Sequence, residues 1–555
     1  MKHFDFSRYL PFPKVGKSDR RWPDQVIAKA PSWASVDLRD GNQALLSPMD
    51  TQQKLRMFDL LVRMGFKEIE VGFPAASRME FDFIRRLVGE GRIPEDVTIQ
   101  VLTQAREDLI FRSYEALKGA RRAIMHVYNS VSPEQRRQVF RLDRDGVREI
   151  AVRGARLIRE TSALYPETDW TFQYSPESFS GTEPDFSLEV CSAVGEVWQP
   201  EKGRRVIFNL PATVEMSTPN VFADQVEWFC DRLPGREHVT VSVHTHNDRG
   251  CAVAAAELAV MAGADRVEGT LFGNGERTGN MDILTMAMNL YSQGVDPELD
   301  LSFSREILSC YAECTGMPVD PRHPWFGEMV YTAFSGSHQD AIRKGMSYYR
   351  EQGGKWTVPY LPIDPQDLGR NYDEVVRINS QSGKGGVAHV LERDHGISLP
   401  KWLAQEFGKV VQDESERTRR EVGSARILSL FEEHYLIPRR AWKLDSYRLD
   451  SDGNTVTAIV EIGADNRKEI QGKGRGAVEA LMDALVHSLG IRAEVEEFNE
   501  HALSTGTGAK AVAYVRLRSG EGEMTASAAG LGEDTTEAAL QAVLSAVAKT
   551  AGGSL

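Results

Sequence analysis

The stretch of the sequence that decides the fold is 241–248, which reads Val-Ser-Val-His-Thr-His-Asn-Asp. It predicts a short apolar strand that ends in two histidines and breaks at polar turn residues. Alternate side chains of a strand share a face, so we expect His244 and His246 to point the same way. Two imidazoles that converge at the end of a strand suit a divalent cation. Surface or hydrogen-bonded histidines are the alternative, and candidate ligands elsewhere in the chain favour the cation.

Strand and helix patterns alternate eight times around that stretch. The segment 49–64 shows the helical period, with Leu55, Phe58 and Leu61 on one face. Eight such units over roughly 250 residues are typical of an α/β fold of the (β/α)₈ type, the TIM barrel. A doubly wound sheet is the alternative. The expected strands are 35–38, 68–71, 98–102, 123–127, 171–174, 206–209, 240–243 and 266–268.

Polar and ionisable residues follow five of these strands. In (β/α)₈ barrels the chemistry takes place at the carboxyl ends of the strands, in the loops that follow them. Random surface loops would not place polar residues at the same end of so many strands. We therefore expect the functional site at that end. The five segments are 39–43, 175–178, 211–215, 244–248 and 273–280.

Four residues in these segments are candidate metal ligands, namely Asp40, His244, His246 and Asn280. One carboxylate, two imidazoles and an amide oxygen suit Mg²⁺, Mn²⁺ or Zn²⁺ and leave positions for a substrate. An ion held in this way would bind both oxygens of a 2-oxo acid and polarise its ketone. Arg39 would pair with the substrate carboxylate or with the developing alkoxide.

Each candidate also has a structural interpretation. Asp40 suits a turn or a helix cap, Asn280 suits the N-cap of the eighth helix, and Arg39 suits a buried salt bridge. Strict strand alternation would aim Arg39 and Asp40 to opposite sides. Their joint use requires that the turn at Gly41 reorients one of them.

The composition limits the partners and the compartment. The chain has 555 residues and a formal net charge of −14, which argues against nucleic acid or an anionic membrane as a partner. Its five cysteines are sparse, as in a reducing compartment. We find no secretory leader and no apolar run of about 18 residues. These features predict a soluble, cytoplasmic protein.

The patterning divides the chain into four parts. The predicted parts are an aromatic and proline-rich arm (1–32), the barrel (33–327), a helical linker region (328–439) and a small α+β module (440–555). The linker region has expected helices over 329–343 and 402–418. We expect the last part to pair with a copy of itself. Its expected elements are strands 455–462, 494–497, 511–517 and 523–528 and helices 476–489 and 536–548.

Taken together, the motifs resemble the α-isopropylmalate synthase family, which consists of metal-dependent Claisen-condensing barrel enzymes. The resemblance spans nearly the whole chain. It implies condensation of acetyl-CoA with 2-oxoisovalerate to give 2-isopropylmalate and CoA in leucine biosynthesis. The motifs that carry it are Leu-Arg-Asp-Gly-Asn-Gln (38–43), Gln-Tyr-Ser-Pro-Glu (173–177), Asn-Leu-Pro-Ala-Thr-Val-Glu (209–215), 244–248 with 273–280, and Ser-Gln-Ser-Gly-Lys-Gly-Gly (380–386).

The resemblance also implies residue roles. The metal would be held by Asp40, His244, His246 and Asn280, and a monovalent cation such as K⁺ would activate the enzyme. The oxo acid would be bound by Arg39, His126, Tyr128, Ser175, Asn209 and Thr213.

Catalysis would use residues from two parts of the chain. His338 resembles the catalytic histidine of the family, with Glu177 as its activating carboxylate and Tyr372 as a second linker residue. A histidine suits the reaction because its pKa lies near neutrality. In relatives the linker residues reach the barrel of a second subunit, so the resemblance implies an obligatory homodimer.

The tail resembles the leucine-binding regulatory domain, but it departs from the family pattern. The usual Gly-Asn-Gly-Pro element reads Gly474-Arg475-Gly476-Ala477, and the usual acidic pair reads Thr507-Gly508. An added arginine and two lost carboxylates change the charge where a zwitterion should bind. We therefore expect feedback inhibition by leucine to be weak, absent or transferred to another effector.

Three other functions are open to such a chain. The first is the same condensation on another 2-oxo acid, as in homocitrate- or citramalate-type enzymes or a specialised-metabolism paralogue, because one methylene changes binding by only ~1–3 kcal/mol. Lyase chemistry is disfavoured, since 273–280 lacks the cysteine of the lyase relatives. A non-catalytic amino-acid sensor is disfavoured by the intact candidate ligands.

Overall fold

The structure is a computed structural model, and the chain forms two compact units. The first is Met1–Val330 with Pro365–Arg370, and the second is Tyr331–Asp364 with Asn371–Leu555. The four-part division expected above stays a prediction. The structure describes all residues except 1–4, 10, 13, 202–203, 371–383, 419, 437–443, 453–454, 463–467, 504–508, 520–524 and 551–555.

A closed barrel of eight parallel strands forms the first unit, in the order in which the strands occur along the chain. The first and eighth strands close it, with Ala34 opposite Glu268. The predicted (β/α)₈ barrel is therefore confirmed, and the doubly wound sheet is excluded. The strands are β1 (Ser32–Ser35), β2 (Glu68–Gly72), β3 (Thr98–Gln104), β4 (Arg122–Ser130), β5 (Asp169–Glu177), β6 (Val206–Ala212), β7 (Val239–Thr245) and β8 (Arg266–Gly269).

The barrel helices start and stop where local chemistry dictates. Before the first helix, Asp50 and Gln53 form a reciprocal capping box, and Gly65 ends that helix with a φ of 105°. Buried apolar side chains such as Phe58 and Leu61 face the strands. The helices are α1 (Thr51–Met64), α2 (Arg78–Gly89), α3 (Glu107–Leu117), α4 (Arg144–Ser162), α5 (Pro184–Trp198), α6 (Pro219–Arg232), α7 (Ala252–Met261), α8 (Ile283–Ser292) and α9 (Ser304–Thr315).

The first strand differs from the expectation of 35–38. It ends at Ser35, and Asp37–Gly41 forms a wide helical turn. The carbonyl oxygen of Val36 accepts hydrogen bonds from the amides of Arg39, Asp40 and Gly41, at 3.2, 2.9 and 3.1 Å. The apolar residues at 36 and 38 imitated a strand because both are buried. The backbone leaves the sheet after Ser35, before the expected strand 35–38 is formed.

The second unit contains helices and two three-stranded antiparallel sheets, in the orders β11-β10-β9 and β12-β13-β14. The expected helix 329–343 begins only at Gly336, and Tyr331 and Ala333 are buried in the irregular segment before it. Strand 455–462 was predicted with the observed bounds, whereas β9 and β11 were missed. The elements are α10 (Gly336–Gln352), α11 (Lys384–His395), α12 (Lys401–Thr418), α13 (Ser424–Tyr435), β9 (Leu444–Asp452), β10 (Thr455–Ile462), β11 (Lys468–Gly474), α14 (Ala477–Leu489), β12 (Ala493–Ala502), β13 (Ala511–Ser519), β14 (Thr525–Gly532) and α15 (Thr535–Thr550).

Glycines allow the two tail helices to lie directly on their sheets. A Cβ at Gly472 would lie 2.2 Å from the amide nitrogen of Ala484 on α14. A Cβ at Gly530 would lie 2.2 Å from the carbonyl oxygen of Ala538 on α15. The same contact thus recurs in two strand–helix modules, and each requires a residue without a side chain.

Candidate active site and metal centre

A cavity of about 660 Å³ opens at the carboxyl ends of the barrel strands. Most of the residues expected in the site line this cavity, although they come from distant parts of the chain. They are Arg39, Asp40, His126, Tyr128, Ser175, Glu177, Asn209, Thr213, His244 and His246.

The wide turn after β1 brings Arg39 and Asp40 to the same side, which strand alternation would not allow. Arg39 Nη1 lies 2.5 Å from Asp40 Oδ1, and Arg39 Nε donates to Glu70 Oε2 at 2.9 Å. Helical turns of this width are frequent at functional sites. The reorientation required at Gly41 therefore occurs, but over the whole segment Asp37–Gly41.

Asp40, His244 and His246 form a group whose ligand atoms all lie within 4.8 Å of one another. The two Nε2 atoms are 3.3 Å apart, and His244 Nε2 is 3.6 Å from Asp40 Oδ2. Glu268 Oε2 lies 2.9 Å from His244 Nδ1, which is the arrangement of a metal-binding histidine backed by a carboxylate. A carboxylate with two imidazoles is a donor set for a hard or borderline divalent ion.

The charges of this group are strongly coupled. Burial alone would lower the pKa of His244, but hydrogen bonds with Asp40 and Glu268 outweigh burial and raise it to about 9. Burial and the nearby charge of His244 lower the pKa of His246 to about 3. Burial opposes ionisation of Asp40, yet Arg39 and the histidines hold the pKa of this carboxyl well below its usual range. The pKa of the His244 imidazole thus lies well above that of the His246 imidazole.

Asn280 lies next to this group but does not line the cavity. Its Nδ2 donates to Asp40 Oδ2 at 2.8 Å, while its Oδ1 is buried and has no hydrogen-bond partner among the described residues. His246 Nδ1 is likewise buried without a described partner. Asp282, which accepts from the amide of Leu284, caps α8 in place of Asn280. The unpartnered buried oxygen of Asn280, beside a carboxylate and two imidazoles, fits a divalent ion.

A hydrogen-bonded chain forms part of the cavity wall. Asn209 Nδ2 donates to Ser175 Oγ at 3.0 Å, and Ser175 Oγ lies 2.7 Å from His126 Nε2. His126 Nδ1 lies 3.0 Å from Glu70 Oε1. A carboxylate can only accept, so Nδ1 of His126 carries a hydrogen, and the neutral ring accepts from the Ser175 hydroxyl through Nε2. This wall thus has a defined hydrogen-bond direction.

Glu177 lies at the end of β5 with a carboxylate that makes no hydrogen bond or ion pair with the described part of the chain. Burial raises its pKa. Nearby, Thr213 Oγ1 accepts from the amide of Ser178 at 2.9 Å, so its own hydrogen stays available to a ligand. Tyr128 OH accepts from Gln104 Nε2 at 3.3 Å.

The remaining predicted residues belong to the second unit. His338 is exposed in the first turn of α10, and its ring stacks on Tyr360 with centroids 4.1 Å apart. Tyr372, the segment 380–383 and the pair 507–508 lie outside the described residues. Gly474 ends β11, and Gly476 precedes α14.

The sequence analysis missed the cavity residues that follow β2 and β3. Phe73 and Met79 follow β2, whereas Leu102 and Gln104 lie at the end of β3. The signal was present, because the barrel rule applies to all eight strands.

Comparison with known proteins defines the class first. Residues 30–310 match the HMGL-like family model, so the cavity belongs to an HMGL-like barrel. Residues 328–392 match the "Alpha-isopropylmalate synthase, post-catalytic domain-like" model, and residues 421–551 match the "LeuA allosteric (dimerisation) domain" model.

Individual relatives then identify the family. The chain is 57% identical over 548 residues to a 2-isopropylmalate synthase from Alcanivorax borkumensis, covering 98% of both chains. It is 52% identical over 546 residues to one from Azotobacter vinelandii, covering 98% of this chain and 97% of that one. The chain therefore belongs to the 2-isopropylmalate synthase family, and the resemblance inferred from its motifs is confirmed.

A solved HMG-CoA lyase from Brucella melitensis aligns with 52% of this chain and 100% of its own, with 18% identity and a TM-score of 0.43. Over the described residues, none of the helices has the length and apolar character needed to cross a membrane.

Proposed function

We propose that this chain is an acyltransferase that condenses acetyl-CoA with 2-oxoisovalerate and water to give 2-isopropylmalate and CoA, the first committed step of leucine biosynthesis. The observation that carries the proposal is the convergence of Asp40, His244 and His246 beside Arg39 in one cavity. Full-length identity of 57% to a 2-isopropylmalate synthase supports the choice of substrates.

The metal site of this metal-dependent family is proposed to be Asp40, His244, His246 and Asn280, with Mg²⁺, Mn²⁺ or Zn²⁺ as the ion. When bound there, the ion supplies a Lewis acid for the ketone of the oxo acid. A monovalent cation such as K⁺ is proposed as an activator.

The chain's own residues bind and orient the oxo acid in this proposal. Arg39 offers a guanidinium that two carboxylates already hold in place, so it meets an anion without reorganisation. Thr213 keeps a hydroxyl hydrogen for the substrate carboxylate. His126, Tyr128, Ser175 and Asn209 complete the pocket wall.

Carbon–carbon bond formation requires that a base removes a proton from the acetyl methyl group. The resulting carbanion equivalent attacks the ketone carbon, the ketone oxygen takes up a proton, and water then cleaves the thioester and releases CoA. We assign the base to His338, activated by Glu177. Three observations support this pairing: the Glu177 carboxylate has no partner among the described residues, burial raises its pKa, and the ring of His338 is exposed. His338 and Tyr372 would come from a second copy, which makes the homodimer the active form.

The tail is proposed to regulate the enzyme through leucine, in keeping with the match of 421–551 to a LeuA allosteric domain. Gly474 and Gly476 flank Arg475. The backbone amide and Nε of Arg475 both donate to Glu479 Oε2, at 2.8 and 3.2 Å. The added arginine is thus paired with Glu479, and we expect leucine affinity to differ from that of the usual element. All five cysteines are free thiols, which supports a cytoplasmic location.

Release of free CoA from acetyl-CoA tests the proposal, measured with metal-replete protein and a panel of 2-oxoisovalerate, 2-oxobutyrate and pyruvate, with and without leucine. We expect the fastest release with 2-oxoisovalerate. Asp40→Asn should abolish release, whereas Asp59→Asn, at an exposed carboxylate on α1, should not alter it. Faster release with another oxo acid would refute the substrate assignment. If no 2-oxo acid gives CoA release, the proposal that the chain is an acyltransferase is refuted.

A further inference from the structure

Glu268 is a fully buried carboxylate in the barrel interior, behind the cavity and outside its lining. Five donors surround its two oxygens. On one side, Oε1 accepts from Arg266 Nη1 and Gln173 Nε2, each at 2.7 Å, and lies 3.3 Å from Gln100 Nε2. On the other side, Oε2 lies 2.9 Å from His244 Nδ1 and accepts from Asn209 Nδ2 at 3.1 Å. One oxygen thus faces the barrel core, and the other faces two residues of the site.

Neutralising Arg266 does not explain this arrangement. Arg266 is itself fully buried and already pairs with Glu68 Oε2 at 2.5 Å. Taking a second carboxylate out of water is costly, and a charge partner for Arg266 would require only one of its oxygens. The other oxygen, Oε2, contacts a candidate metal ligand and a pocket residue.

We propose that Glu268 is a positioning residue that prepares His244 to bind the metal and orients the amide of Asn209. This inference rests on the metal role proposed above. A carboxylate accepts hydrogen bonds and donates none, so it selects the Nδ1–H form of His244. When the His244 ring is neutral, as metal binding requires, the lone pair of Nε2 then faces Asp40 and His246. By the same rule, Glu268 makes Asn209 donate through Nδ2, which fixes the start of the chain that runs through Ser175 to His126.

Glu268→Gln tests whether His244 needs an acceptor at its Nδ1, because an amide has the shape of a carboxylate but carries a donor in place of one acceptor oxygen. The charged guanidinium of Arg266 should take the remaining oxygen. The new NH₂ group would then face His244 Nδ1 and favour the opposite tautomer, whose Nε2 carries the hydrogen and cannot ligate. Loss of a carboxylate behind a metal-binding histidine typically weakens metal affinity by about 10- to 100-fold.

The test is the dissociation constant for Mn²⁺, measured by calorimetry on the full chain without substrates. We expect Glu268→Gln to weaken binding by about 10- to 100-fold. Glu68→Gln is the matched control, because it removes the other carboxylate from Arg266 without touching His244, and it should leave the constant unchanged. Circular dichroism confirms folding. If Glu268→Gln does not fold, Glu268→Asp keeps the charge but withdraws it from His244, and the same weakening is expected.

The outcomes separate this inference from the proposed function. If the unaltered chain binds Mn²⁺ and folded Glu268→Gln binds it equally well, the positioning role is wrong while the metal site stands. Equal weakening by Glu68→Gln would show that the effect arises from the Arg266 pair, which also overturns the positioning role. If the unaltered chain binds no divalent ion, the metal role and this inference both fail.

Discussion

Metal binding to this protein should release one proton for each ion. His244, with a pKa of about 9, is almost fully protonated at pH 7.5, whereas His246, with a pKa of about 3, is neutral. The ion needs the Nε2 lone pair of each ring, so it must displace the proton on His244 and none from His246. Below pH 9 the proton competes with the ion, and affinity should fall about tenfold for each pH unit, or 1.36 kcal/mol. Between pH 8 and pH 6 the loss is about 100-fold.

Calorimetry measures both quantities. Titration of the chain with Mn²⁺ at pH 7.5, in two buffers of different ionisation enthalpy, gives the number of protons released. Repeating it at pH 6, 7 and 8 gives the slope of the logarithm of the dissociation constant against pH. A slope near zero, or release of no proton, would refute the assignment of the proton to His244. Release of two protons would show that both imidazoles are charged in the free protein.

Two further predictions concern stability. Gly530→Ala should lower the free energy of unfolding of the tail by about 1–3 kcal/mol, because the new Cβ would lie 2.2 Å from the backbone of α15. Gly476→Ala is the control, since its Cβ would meet no atom within 4 Å and should cost much less. Urea unfolding of the full chain measures both. Equal costs would contradict the close packing. Asp37→Asn should raise the melting temperature more at pH 9 than at pH 6. Burial raises the pKa of Asp37 to about 7, so the stability that its protonated form contributes is lost as the pH rises through 7. A gain that is independent of pH would show that Asp37 is neutral or fully paired throughout.

The architecture of the barrel could be predicted from the sequence because each strand and helix carries its own periodic pattern. The strand at 455–462 was expected with its observed bounds, yet the neighbouring strands β9 and β11 were missed. β11 carries Gly472 and Gly474, and glycine has low strand propensity. Those glycines are there because a helix lies against them, and a local pattern does not contain that contact.

The candidate site divides in the same way. The motif at 244–248 names two ligands, since strand alternation alone places His244 and His246 on one side. Strand alternation places the side chains of Arg39 and Asp40 on opposite sides, which is wrong. Three amides share the carbonyl of Val36, and the resulting wide turn brings both side chains into the site.

The sequence by itself determined the (β/α)₈ barrel, the family and most of the residues that line the cavity, because these depend on local periodicity and on motifs at strand ends. Only the tertiary structure decided how those residues are charged and connected. Glu268 is 24 residues from His244 and 59 from Asn209, yet one of its oxygens contacts both. Hydrogen-bond direction and pKa depend on distances of about 3 Å between side chains from different strands, and such distances are set by closure of the barrel.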